Sequence, residues 1–390
     1  MSQKAYINPV VLRWSRETAK LSIEAVAGKM AGCNPERIAR WEMGEEFPTV
    51  TQAEKLSKLY RRPLAVFYLP EPPRDFETLK DFRRKDHRKE YSTALTFMIR
   101  DIQAKQAWIK DTFKEIGEEH LTFVGKFTPS SRVEDIALNI RKTLQIEDAP
   151  QTHDILKYWT ERAEANRIFV CLSGNIHSRL PLAVEEVRGF AISDPMAPFI
   201  FINSHDYKNA QLFTLVHELV HLWIDATGVF DLAAVEFRSD QDKEKYDPIE
   251  IFCNGVTAEV LMPQARIRER LKHEQSIQVE TIEHIARDFS VSSLAMAVRL
   301  LNLGMITKNL FSRAKVEFDR KFQEFKAKEA AKEKKGGPDY YLLQTRKNSK
   351  AFSHLVYDFF KGGQITGYEA ATLLNIKVNQ FSKLETFLLS

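Results

Sequence analysis

Residues 213–223 read FTLVHELVHLW. Most of the stretch is apolar, and Leu215, Leu219 and Leu222 line one side of a helix that must lie against a core. Yet it carries two histidines four apart, with a glutamate directly after the first. A helix turns ~100° per residue, so His217 and His221 stand ~40° apart on one face. Both imidazoles can reach one metal ion. Glu218, ~100° round, is placed to touch a water beside that ion. The pattern is that of a hydrolytic zinc centre, where the cation acidifies a water and the carboxylate takes its proton. The competing reading is two buried helix histidines and a surface glutamate. Chance alone gives the pattern at roughly the 1% level in a chain with 10 histidines.

A catalytic zinc takes three protein ligands and keeps one position open. Downstream candidates for the third are Glu236, Asp240, Asp242, Glu244, Asp247, Glu250 and Glu259. Those at 236–247 lie in the polar run VEFRSDQDKEKYD, which reads as a loop and would position a ligand poorly. Glu250 and Glu259 share the helix PIEIFCNGVTAEVLM but point to opposite faces, so at most one faces the metal. Geometry leans toward Glu250 and leaves the choice open. Glu259 is expected to stand behind a ligand.

The chain has 390 residues, enough for two or three domains. Its hydrophobic and charged shares, 44% and 28%, are those of a soluble globular protein. The longest apolar run is short, as in LAVFYL at 64–69, so no membrane span is expected. The opening MSQKAYINPV has no apolar signal core, and the three cysteines form neither a CxxC pair nor a disulfide framework. Both point to the cytoplasm. A net charge of +4 is too mild to argue for nucleic acid.

Residues 1–72 read as a compact all-α unit. Ser22 is a cap, Asn34 caps NPERIARWEMG with Pro35 at its first position and Gly44 as its stop, and Thr51 with Glu54 has capping-box spacing before a helix that Pro63 ends. Residues 73–165 read as a helical linking region. The β-rich stretch is IFVCLSG (168–174), GFAISD (189–194) and FIFIN (199–203), the last two forming a hairpin through DPMAP. A core from 166 to 305 is expected, followed by a charged helix and a last helical region over 306–390. The fold class is thus mainly α with a small sheet.

Two resemblances follow. The run WEMGEEFPTVTQAEKLSKLY, after NPERIARWE, resembles a helix-turn-helix of the Xre repressor type. The blocks GFAISDPMAPFIFIN, LFTLVHELVHLW and IEIFCNGVTAEVLMP occur in order and resemble the ImmA/IrrE family of bacterial metallopeptidases. That resemblance covers roughly 165–305 and implies a zincin-like core. It implies one Zn²⁺ per chain on His217, His221 and Glu250, with Glu218 as the base; the chemistry of the same ligand set also admits Mn²⁺. It implies an endopeptidase that cleaves a regulatory protein, a helix-turn-helix repressor or a toxin, in a stress, phage or mobile-element response. This sequence departs from the family after Asn254, where Gly255-Val256-Thr257 replaces the common x-Phe-Ala.

Peptidases of the HExxH class hold substrate as an added strand, and Phe199, Ile200, Phe201, Ile202 and Asn203 directly precede the motif helix. They are the candidate edge strand, with an ordinary core strand as the equal alternative. His205, Arg188 and Tyr246 are candidates for oxyanion stabilisation, and His177 reads as a loop histidine. On the helix about 34–43, Arg37 and Arg40 share a face and are candidates for DNA contact through residues 1–72. Four glutamates (Glu36, Glu42, Glu45, Glu46) crowd the same window, so protein docking is the rival role. The basic patch at 83–89 reads as a solvated face. The rival function as a whole is a DNA-binding or antitoxin-like regulator with little proteolysis. The oligomeric state is not legible.

Overall fold

The computed structural model describes residues 3–73, 91–148, 150, 152–177, 180–229, 247–331 and 339–388. The basic patch at 83–89 and the residues Glu236, Asp240, Asp242, Glu244 and Tyr246 lie outside them. The chain divides into two compact units. The first takes the described residues of Met1–Thr78, Lys89–Ala104 and Asn175–Pro181, and the second takes the rest.

The first unit begins with α1 (Pro9–Thr18), α2 (Ile23–Ala27), α3 (Pro35–Met43) and α4 (Val50–Tyr60). Ser22 and Asn34 cap α2 and α3 through their side chains, Pro35 opens α3, and Gly44 stops it at φ +79°. The capping box of α4 sits two residues earlier than expected, on Thr49 and Gln52 rather than Thr51 and Glu54. The two pairs share the same spacing, but Thr49 has the extended backbone that a cap requires, and Thr51 is already inside the first turn. Val11, Leu12, Ile38, Trp41, Leu56 and Tyr60 form the core of these helices. Across it, Arg16 of α1 forks onto Glu42 of α3 at 2.7 and 2.9 Å.

α5 (Thr93–Glu115) gives its first half to this unit and its second to the other. Then come α6 (Val133–Thr143), α7 (Ile155–Glu164) and β1 (Phe169–Leu172). The hairpin β2 (Asn175–His177) and β3 (Leu180–Pro181) belongs to the first unit. His177, expected in a loop, thus has strand backbone. β4 (Gly189–Ile192), β5 (Phe199–Ile202), α8 (Lys208–Trp223) and β6 (Gly228–Val229) follow, then α9 (Pro248–Leu261). The chain continues through α10 (Gln264–Leu271), α11 (Val279–Asp288), α12 (Ser293–Asn302), α13 (Lys308–Ala331), α14 (Tyr340–Asn348), α15 (Lys350–Lys361), α16 (Gly367–Leu374) and α17 (Phe381–Leu388).

The main sheet is mixed, in the order β1-β5-β4-β6. β4 and β5 form the expected antiparallel hairpin, and β1 runs parallel to β5 with Phe169 opposite Phe199. β5 is therefore an interior strand, paired along both sides and buried at every position. This corrects the edge-strand reading of Phe199, Ile200, Phe201, Ile202 and Asn203. Their backbone groups are already spent on β1 and β4, so no substrate strand can add there. The unbroken apolar run FIFI has the pattern of a strand buried on both faces.

Alternation along β5 sorts its side chains. Ile200 and Ile202 join Leu215, Val216 and Leu219 of α8 in one core. On the other face, Phe169 stacks on Phe199 at 4.8 Å, and Phe352 of α15 meets both rings edge-on. The sheet is thus sandwiched between the motif helix and a C-terminal helix. The mainly α architecture with a small sheet is the one expected.

A polar clamp reinforces that closure. Glu164, the last residue of α7, accepts from the Ser349 hydroxyl at 2.5 Å and from the Lys350 amide at 3.0 Å, at the N-terminus of α15. Ser349 has φ +73° and ψ 134°, a backbone conformation that side chains rarely adopt. Burial pushes the Glu164 carboxyl up from 4.5 to about 7, outweighing the hydrogen bonds that lower it. The fold therefore favours its protonated form. Its stabilising contribution is whole below about 4.5 and is lost as pH rises through about 7. We expect Glu164→Gln to gain about 3 kcal/mol on wild type between about pH 5 and pH 8. Urea unfolding midpoints across that range check it; a difference that stays constant with pH would show that Glu164 titrates normally.

Candidate metal centre

α8 is buried along nearly its whole length. Its start has no side-chain cap on Tyr207. Gln211 reaches back and donates to the carbonyls of Asp206 (2.6 Å) and Ser204 (3.3 Å), which ties the preceding loop to the helix. α9 is set by Asp247, whose side chain accepts from the Ile249 amide at 2.9 Å, and by Pro248 at its first position. Glu250 therefore stands in the first turn, where the helix dipole favours a carboxylate.

The two helices bring three donors together. The Nε2 atoms of His217 and His221 are 2.9 Å apart. Glu250 places Oε2 at 3.2 Å from the first and Oε1 at 3.4 Å from the second. One ligand atom from each of the three lies within 4.8 Å of the others. His217, Glu218 and His221 have no exposed surface, and Glu250 has 1%. Among the described residues this is the one such group that could hold a metal ion.

Burial sets the charges. It pushes the His221 imidazole down to about 4, leaving it neutral with a lone pair to give. Burial would raise the Glu250 carboxyl, but His217 and then His221 outweigh it and hold it at about 2. Glu218 is pushed well above the usual carboxylate range, by burial first and by Glu250 second. Neither of its oxygens has a hydrogen-bond partner among the described residues. A buried carboxyl left so is costly unless a cation or a reacting water completes it. Two neutral-capable imidazoles, one anionic carboxylate and an unsatisfied second carboxylate fit a divalent ion with N/O preference, and zinc is the default for that set.

Cys253 was not foreseen. Its Sγ lies 3.6 Å from Nδ1 of His221. With Nε2 on a metal, Nδ1 keeps the proton and points it at the sulfur, which fixes the ring. The signal was available, since Cys253 follows Glu250 by three positions and so shares its face of α9.

Gly189, at the start of β4, governs how closely the sheet meets α8. A Cβ there would fall 2.5 Å from Thr214 Cγ2, 2.9 Å from the Phe201 carbonyl and 3.1 Å from Glu218 Oε1.

The other candidates make contacts away from the three donors. Glu259 does not stand behind a ligand: it pairs with Arg299 and accepts from the Gln264 amide at 3.1 Å, capping α10. Asn203 donates to the carbonyls of Leu182 and Val187 and accepts from the His205 amide, which holds the loops around β4. Arg188 faces Asp206 at 3.7 Å, and the His205 ring covers Gly174 so closely that a Cβ there would lie 2.3 Å from it. In the first unit, Arg37 and Arg40 lie on α3 and both meet Glu46, at 3.8 and 3.3 Å.

We expect Gly189→Ala to cost about 2 kcal/mol or more by overpacking, and to lower metal content because Thr214 and Glu218 must move. Thermal unfolding with elemental analysis checks both; an unshifted melting point would mean β4 and α8 have slack.

Residues 175–301 match a family model, that of the M78 peptidases, described as an IrrE N-terminal-like domain. The span runs from β2 to α12 and contains all three donors and Glu218. This part of the chain is thus similar to metallopeptidases of the IrrE/ImmA kind. No curated protein matches the chain.

Proposed function

We propose that this chain is a zinc-dependent endopeptidase that cleaves a regulatory protein. The observation that carries the reading is the convergence of three fully buried donors beside an unsatisfied buried carboxylate. A purely structural zinc would be closed by a fourth protein ligand and would need no such neighbour. His217, His221 and Glu250 hold the ion. When bound, zinc supplies a positive charge that acidifies a water and polarises the scissile carbonyl. Glu218 takes the proton of the attacking water and passes it to the leaving amine. The missing side chain of Gly189 leaves room for that carboxylate, whose Oε1 a Cβ there would approach to 3.1 Å.

The substrate we assign is a helix-turn-helix repressor or a toxin, recognised in part by the N-terminal helical unit. The pairing of Arg37 and Arg40 with Glu46 leaves that helix face little free positive charge, which supports docking of protein over DNA. We place the protein in the cytoplasm, consistent with its three free cysteines. No helix among the described residues is long and apolar enough to cross a membrane.

Glu218→Gln should keep zinc and lose cleavage by about 10²-fold or more, whereas His217→Ala should lose the metal itself. The assay is elemental analysis of each purified variant, with mass-spectrometric mapping of new protein N-termini in cells expressing wild type or Glu218→Gln. Zinc-loaded wild type that yields no new N-termini over Glu218→Gln would sink the peptidase reading.

A further inference from the structure

The metal site is sealed, yet a peptide must reach it. A cavity of about 1180 Å³ in the same unit comes up to α8 at Phe213 and Thr214, one turn before His217. Phe213, His217 and His221 follow one another at four-residue spacing, so they form one ridge of the helix. The Phe213 ring lines the cavity on one side and stacks against the His217 ring on the other, 6.4 Å between centroids and 27° apart in plane. It thus stands between the cavity and the donor cluster.

α9 repeats the arrangement. Glu250, Asn254 and Leu261 fall on one face; the first is in the donor cluster and the last lines the cavity. Asn254 lies between them along the helix and is 4% exposed. Neither its amide nitrogen nor its oxygen has a hydrogen-bond partner among the described residues. A carboxamide offers one acceptor and an N–H donor, the complement of a peptide group. Leaving both unmade in a buried site is costly.

The cavity selects for apolar groups. Much of its wall is aromatic and aliphatic, including Phe318 and Phe322 of α13 and Leu343 of α14. Several charged groups on it are paired with one another: Lys208 with Asp154 at 3.1 Å, Lys321 with Glu283 at 2.6 Å and Arg188 with Asp206 at 3.7 Å.

We propose that this cavity is the specificity pocket of the metal site: it takes a large apolar side chain beside the scissile bond, Phe213 swings to admit it, and Asn254 holds the adjoining peptide group. This rests on the peptidase reading above. The test uses zinc-loaded full chain carrying Glu218→Gln and two dipeptide hydroxamates, one with a phenylalanyl and one with a glycyl side chain, measured by calorimetry. The phenylalanyl compound should bind at least about tenfold tighter. Leu343 is half exposed, so Leu343→Asp is compatible with folding; it should erase that preference and leave zinc content and glycyl affinity alone. Asn254→Leu should weaken both compounds about tenfold at unchanged zinc content. Equal binding of the two hydroxamates, or a preference that survives Leu343→Asp, overturns the pocket. Loss of zinc in Asn254→Leu would make Asn254 a support of the ligands and overturn its part. A phenylalanyl preference in a protein that cleaves nothing would leave the pocket standing and remove the peptidase reading alone.

Discussion

Burying two carboxyls and two imidazoles together with almost no solvent contact is the constraint on which the second unit is built. Taking an ion out of water costs several kcal/mol even after relaxation. Glu250 recovers part of that from the two histidines, 3.2 and 3.4 Å away. Glu218 recovers nothing from a described hydrogen bond, and burial with Glu250 beside it pushes its carboxyl well above the usual carboxylate range. Such a cluster makes physical sense as a cation site, since one divalent charge would offset the burial of both carboxyls at once. The packing around it follows. Gly189 lets the sheet approach α8, Ile200 and Ile202 press on Val216 and Leu219, and α9 closes over the ligands with Cys253 behind His221.

What the sequence made legible were features written in local spacing. The ligand pair of α8 depends on a four-residue interval. The caps at Ser22 and Asn34 depend on one polar side chain near its own helix. The β4–β5 hairpin depends on a short turn. Glu250 was within reach of geometry but was settled by resemblance, because a helix start and a helix end are both plausible places for a ligand until the neighbouring helix is known.

What escaped depends on partners distant in the chain. FIFI could not be placed inside the sheet without knowing that β1, thirty residues upstream (Phe169 opposite Phe199), pairs with it in parallel. Glu259 looked available for the metal because its partner Arg299 lies three helices later. The Thr49–Gln52 box was missed for another reason. Two pairs with capping-box spacing overlap there, and the choice between them is made by where the chain turns, which spacing does not encode.

The C-terminal helices are part of this core rather than an appendage to it. Phe352 of α15 completes the aromatic layer on the face of the sheet opposite α8, and the Ser349–Lys350 turn before it is clamped by Glu164 of α7. α13 and α14 wall the cavity that reaches Phe213. A shift of α15 would therefore be felt twice, in the packing of β1 and β5 under the motif helix and in the width of the cavity beside it. The clamp that resists such a shift is a carboxyl poised near about 7 and a serine in a strained backbone conformation. A buried carboxyl pushed up to about 7 thus lies where the C-terminal helices join the sheet and α7.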